Sequence, residues 1–217
     1  MSVLDLLQRE ENRENGRVEG VAIGIVTDIQ DADKMARIRV KYPWREDNQN
    51  SYWARPAVLY AGKNRGAFFL PEVGDEVLLA FDKGDVEHPY ILGALWNGQD
   101  TPPDTNSDGK NNTKLIRTRS GHEVRFFEDS GKESVEIKTQ GGHSVKMDDT
   151  SGSAQINIKD SSGSNTIVID ASQNSITIQS SGSLTLKSQT IDIEASASMT
   201  IKAGATLTIQ GALVKIN

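Results

Sequence analysis

From residue 124 to the end, the chain repeats one short pattern: an apolar, a polar and an apolar residue, then a polar turn. Its members are Val124/Phe126, Val135/Ile137, Val145/Met147, Ile156/Ile158, Ile167/Ile169, Ile176/Ile178, Leu184/Leu186, Ile191/Ile193, Met199/Ile201, Leu207/Ile209 and Val214/Ile216. The first members are spaced 11, 10, 11, 11, 9, 8, 7, 8, 8 and 7 residues apart. Alternation with period two predicts β-strands whose apolar pairs share one face, while residues such as Glu136, Lys146, Asn157, Thr177, Thr185 and Asp192 take the other. Two inward side chains per strand cannot close a core. A single-chain solenoid needs roughly 20 or more residues per coil, and units of 7–8 residues let the chain turn without closing one. Three chains winding together remove the difficulty. Their apolar pairs meet on the axis of a triangular prism, and interchain pairing satisfies backbone groups that short strands would leave open. The pattern thus predicts an intertwined triple-stranded β-helix in a homotrimer, with the pairs from Val135/Ile137 to Leu207/Ile209 as its core. The longer units carry turns such as Asp129-Ser130-Gly131-Lys132, Thr150-Ser151-Gly152-Ser153 and Ser161-Ser162-Gly163-Ser164. They predict a wider antiparallel collar to about residue 170, with a narrower shaft beyond, a taper suited to penetration.

Residues 17–98 follow a different rhythm. Val21, Ile23 and Ile25 alternate, Gln30-Asp31-Ala32-Asp33 supplies turn chemistry, and Met35, Ile38 and Val40 interleave with Arg37, Arg39 and Lys41. Further strands are predicted over Tyr52 to Tyr60, Glu76 to Phe81 and Tyr90 to Trp96. Pro43, Pro56, Pro71 and Pro89 fall at strand ends or turns, where a missing N–H costs least. About five strands in about 80 residues suit an OB-fold barrel. The chain therefore reads as all-β: an arm over 1–16 with Leu4, Leu6 and Leu7, the barrel over 17–98, a Gly/Pro/Asn-rich linker over 99–114 and the spike over 115–217. The arm is expected to fray or to pack on a neighbouring subunit or hub.

Composition sharpens this division. All three Trp and all six Pro precede residue 104, and the last aromatic residue is Phe127, as a narrow axis requires. There is no cysteine, which excludes disulfides and Cys-ligated zinc. A net charge of −6 disfavours general nucleic-acid binding. The N-terminus lacks the basic and apolar regions of a signal peptide, and no apolar run reaches the ~18 residues of a membrane-spanning helix. Synthesis in the cytoplasm without a signal peptide is expected.

Candidate chemistry is sparse. His88, His122 and His143 could each meet their copies on a threefold axis, a geometry that suits a metal, but His122 and His143 follow glycines in turns, where hydrogen-bonding roles are the better expectation. The acidic groups Asp28/Asp31/Asp33, Asp82/Asp85/Glu87 and Asp148/Asp149 read as solvated turns rather than as a hydrolytic carboxylate pair. Arg37, Arg39, Lys41, Tyr42, Trp44 and Arg45 form a basic-aromatic cluster of the kind that OB-folds use on single strands. The acidic balance and the attached repeat argue against that use. No catalytic, cofactor-binding or metal-binding residue is assigned, and no enzymatic activity is expected.

The barrel sequence also resembles a known family. Gly24-Ile25-Val26-Thr27-Asp28, Ala36 to Trp44, Ser51-Tyr52-Trp53-Ala54-Arg55-Pro56, Gly66 to Val77 (including Phe69-Leu70-Pro71-Glu72-Val73-Gly74-Asp75) and Pro89 to Gly98 are similar to the OB-fold of phage baseplate V proteins and VgrG-type spikes. Thr118-Arg119-Ser120-Gly121-His122 and Gly141-Gly142-His143 resemble the opening repeats of those spikes. The resemblance implies a homotrimeric central spike at the tip of an inner tube, in a virion tail or phage tail-like particle, driven mechanically through a target membrane on sheath contraction. Only about 16 residues precede the barrel, which implies a separate hub protein at that end. Residues 97–114 leave no room for an inserted lysozyme. The end of the chain, Leu213, Val214, Lys215, Ile216 and Asn217, lacks the His-x-His of some phage spikes, which implies a PAAR-like tip protein bound there. A trimeric tail fibre that binds or degrades surface polysaccharide is the alternative, disfavoured by a shaft without aromatics.

Overall fold

Burial alternates strictly along Glu76-Val77-Leu78-Leu79-Ala80-Phe81, a strand with Val77, Leu79 and Phe81 turned into the core and the intervening residues half-exposed. It is the central strand of the first of two compact units, which end and begin at Ser107 and Asp108. The computed structural model describes residues 17–45 and 50–216; the expected N-terminal arm and Asn217 lie outside them. In the first unit the strands are β1 (Val21–Asp28), β2 (Arg39–Lys41), β3 (Arg55–Pro56), β4 (Ala61–Gly62), β5 (Arg65–Gly66), β6 (Glu76–Phe81) and β7 (Pro89–Ala94), with a 3-10 turn at Asp82–Gly84.

The main sheet runs β2-β1-β6-β7-β3. All neighbours are antiparallel except β3 and β7, which are parallel. Ile38 and Ala54 exchange backbone hydrogen bonds of 2.9 and 2.8 Å, which joins the β2 side back to the β3 side and closes an OB-like barrel. Its core is Val26, Ile38, Val40, Ala54, Val77, Leu79 and Ile91, all nearly sealed, together with Tyr42, Phe81 and Val86. Burial pushes the Tyr42 phenol up to about 12, and its hydroxyl donates to the Val86 carbonyl at 2.9 Å.

Two sequence expectations change here. Val21, Ile23 and Ile25 do form a strand, but the barrel interior takes Ala22, Gly24 and Val26, leaving Val21 and Ile23 exposed. The cause is Gly24: a Cβ there would lie 2.7 Å from Leu79 Cδ1 and 3.3 Å from Val40 Cβ, so only glycine lets β1 cross this close to the core. The continuous strand over Tyr52 to Tyr60 is absent. Pairing stops at Pro56, after which Ala57 N donates to Ile91 O at 2.7 Å and the chain leaves the barrel. It then makes the β4–β5 hairpin, with Asn64 at positive φ in its turn.

The second unit is a seven-stranded antiparallel meander in chain order: β8 (Thr113–Arg117), β9 (Glu123–Phe127), β10 (Ser134–Lys138), β11 (Ser144–Asp148), β12 (Gln155–Lys159), β13 (Thr166–Asp170) and β14 (Ser175–Gln179). Strand β8 begins at Thr113, inside the stretch read as linker. Its pair, Lys114 and Ile116, escaped the pattern because one member is charged. Beyond β14 no strand occurs among the described residues. The chain instead bends at 181–182, 189, 196–197, 204–205 and 212, and runs without regular structure in between.

Candidate assembly surface

The registers of the meander place the apolar pairs directly opposite one another across every strand. One ladder is Ile116, Val124, Ile137, Val145, Ile158, Ile167 and Ile178; the other is Lys114, Phe126, Val135, Met147, Ile156, Ile169 and Ile176. The first is wholly β-branched, the side-chain shape that packs best on a pleated surface. Yet the face is uncovered. Val124 and Val135 are half-buried, and exposure of the other apolar members runs from 37% at Val145 to 70% at Ile176. Fully burying one such side chain contributes about 1.5–3 kcal/mol, so a single chain leaves much of the sheet's hydrophobic stabilisation unrealised.

The opposite face carries the intervening residues in facing rows, among them Arg125, Glu136, Lys146 and Asn157. Opposite charges alternate along this row, an arrangement that stabilises cross-strand neighbours. Glu123 receives Arg117 Nε at 2.8 Å and Nη2 at 2.6 Å, and Arg125 Nε lies 2.7 Å away. Burial raises the Glu123 carboxyl, but these two guanidinium groups outweigh it and hold it below its usual range. Ser144 on this face is 5% exposed, so in the isolated chain polar residues are better shielded than the isoleucines behind them.

Past residue 180 all described residues are exposed, polar and apolar alike. Leu184 and Leu186, Ile191 and Ile193, Met199 and Ile201, and Leu207 and Ile209 are 47–69% exposed. Every bend falls between pairs, never within one. Among the described residues, no backbone–backbone hydrogen bond joins the segments from 183 to 216. Leu213, Val214 and Ile216 are exposed at the end of this series.

Two of the turns are duplicates. Thr118 and Thr139 each accept, through Oγ1, the backbone N–H of His122 and His143 at 3.1 Å, and Gly121 and Gly142 take positive φ. The imidazole of each then reaches the next turn on the same edge of the sheet: Gln140 N donates to His122 Nδ1, and Ser161 N to His143 Nδ1, both at 3.2 Å. Asn165 continues the series by accepting from Ser181 N at 3.2 Å. Three side-chain acceptors thus tie four successive turns together. With Nδ1 accepting, the proton of the neutral ring sits on Nε2. His88 stands apart in the first unit, with Nδ1 3.0 Å from Asp85 Oδ2. Among the described residues no group of three potential ligands converges on a metal position.

In the first unit Arg37 is engaged within the chain. Asp31, expected as a solvated turn residue, has a side chain only 2% exposed. It accepts the backbone N–H groups of Asp33, Met35 and Arg37 and is clamped by Arg37 Nε and Nη2 at 2.8 and 2.7 Å. The Arg37 contact holds its carboxyl well below the usual range. The basic-aromatic cluster is divided: Tyr42 is buried, Trp44 stacks on it at 5.2 Å, and the Arg39 guanidinium lies 4.5 Å from the Trp53 ring centroid. Sequence reasoning also missed the exposed Leu59, Tyr60, Phe68 and Phe69 around the β4–β5 hairpin, beside a groove of about 560 Å³ lined by Met35, Pro56, Val58 and Leu70. The hairpin turn Gly62-Lys63-Asn64-Arg65 was the available signal.

Comparison with known proteins places the first unit. Residues 22–96 match the model of the type VI secretion system/phage-baseplate injector OB domain. The chain carries an injector OB domain of the VgrG and baseplate-V type. It is 30% identical over 139 residues to the actin cross-linking toxin VgrG1 of Vibrio cholerae, covering 58% of this chain and 13% of that protein. It is 30% identical over 131 residues to the type VI secretion system spike protein VgrG3 of Vibrio cholerae, covering 55% and 13%. Spike protein VgrG1a of Pseudomonas aeruginosa is 37% identical over 75 residues, 33% of this chain and 12% of that protein. The chain therefore spans about an eighth of the length of these curated relatives. Since 58% of 217 residues exceeds the 107 residues of the first unit, the longest of these matches runs into the meander.

Proposed function

We propose that this chain is the structural central spike of a contractile tail or injection system, working as a homotrimer and not as an enzyme. The observation that carries the reading is the uncovered pair of apolar ladders, continued after β14 by exposed apolar pairs between bends every 7–8 residues. Two side chains per strand make a stripe too narrow for a core of its own, and segments without backbone partners require other chains. Three copies bring their stripes onto one axis and form an intertwined β-helix. The injector OB domain supports a seat on a hub protein at the barrel end. The exposed Leu213, Val214, Lys215 and Ile216 are the proposed contact for a PAAR-like tip protein. The assembly sits in a tail-like particle, and its work is mechanical: force from the sheath passes along a narrow interlocked rod that pierces the target envelope. Deleting residues 213–217 tests the tip assignment. The truncated chain should still form trimers and lose a PAAR-like cap in a pull-down, and normal capture of the cap by the truncated trimer would refute that assignment.

A further inference from the structure

Strand β14 ends the meander, so one of its edges has no partner among the described residues, and all five of its residues are exposed. An open edge carrying Ile176 and Ile178 is a template for another strand. The chain's own continuation does not fill it. After Gln179 the backbone is pinned sideways: Ser181 N donates to Asn165 Oδ1 at 3.2 Å, and Ser180 Oγ lies 3.0 Å from the same oxygen and 3.2 Å from Ser183 O. The bend at 181–182 then leads into residues 183–188, a segment with no backbone–backbone hydrogen bonds among the described residues. A groove of about 720 Å³ remains, lined by Ile158, Ile167, Ile178 and Leu184 among others.

We infer that the open edge of β14 receives residues 183–188 of a second copy of this chain, so that Asn165 marks the switch from pairing within a chain to pairing between chains. This rests on the trimeric reading above and adds a defined junction to it. The incoming segment has the right pattern: Leu184-Thr185-Leu186 repeats the Ile176-Thr177-Ile178 spacing. Every preceding register aligns apolar pairs, as Ile167↔Ile178 and Ile169↔Ile176 do around Val168↔Thr177. The same rule places Thr185 of the incoming copy opposite Thr177. This holds for parallel and antiparallel approach alike, because both residues are central in their pairs.

The experiment uses the full chain, which has no native cysteine. Facing residues in neighbouring strands lie about 4.5–5.5 Å apart at Cα, within the range of a disulfide. Thr177→Cys with Thr185→Cys, oxidised and run on a denaturing non-reducing gel, should give a covalent trimer, each chain linked to both others. Thr177→Cys with Thr208→Cys should not. A particle that weighs as a trimer by native mass spectrometry but forms only intrachain disulfides, or none, overturns the exchange and leaves the trimer standing. A monomeric particle refutes the trimer and the exchange with it. Equal cross-linking by the control pair also overturns the assignment. Hydrogen exchange on the unsubstituted protein gives a readout independent of the cysteines: amides of 183–188 should be protected, and full exchange there in a trimer counts against the inference.

Discussion

At Gly24 a missing side chain does more than any of the large ones on β1. A Cβ at that position meets Leu79 and Val40, both in the sealed core. Gly24→Val should destabilise the barrel by about 1–3 kcal/mol, the usual cost of overpacking, seen as a lower unfolding midpoint of the first unit. His143 is the informative residue of the second unit. His143→Ala removes the acceptor for Ser161 N and should cost about 0.5–1.5 kcal/mol, whereas His143→Asn should retain much of it, because Asn165 does the same work one turn later. Chemical denaturation of the two variants side by side checks this. The turn aspartates set the acid response. Hydrogen bonds from Lys146 and Thr150 hold Asp148 at about 2, and those from Ser162 and Asn165 hold Asp160 at about 2. Carboxyls depressed in the folded state stabilise it above their unfolded value, near 4, and lose that contribution as pH falls toward 2. The second unit should thus weaken between about pH 4 and pH 2, measured as a falling midpoint across that window.

At the scale of elements, the strands of the second unit were legible because two-residue periodicity has only one structural meaning. Each pair from Val124/Phe126 to Ile176/Ile178 occupies the second and fourth positions of a five-residue strand. Strand β8 was missed because Lys114 stands where an apolar residue was needed to show the pattern. The barrel was less readable. Strand β6 formed where its apolar run predicted a strand, but β1 turned its glycine-containing face inward, which depends on what crosses above it and not on local hydropathy. Asp31 hid its role for a similar reason: three backbone donors and Arg37 converge on it only once the loop is folded. The candidate surface was legible as a list of apolar positions. The partners of the histidine acceptors were not, since each lies 18 residues away along the chain. Placing a charge on the ladder tests the surface at this scale. Ile158→Asp should abolish assembly of the second unit while leaving the barrel folded, as read by sedimentation together with Trp fluorescence, because all three Trp lie in the first unit.

For the molecule as a whole, the two units answer different demands. The barrel has its own sealed core. The second unit leaves most of its apolar pairs exposed, which the proposed trimer would bury. In the proposed trimer, separating any strand would require neighbouring chains to part, so unfolding should be concerted and kinetic stability high. The most direct measurement is the mass of the purified full chain by native mass spectrometry, paired with its migration in SDS before and after boiling. The account predicts three chains of 23.7 kDa in one particle that survives SDS until boiled. A stable, folded monomer with protected amides beyond residue 183 would contradict it.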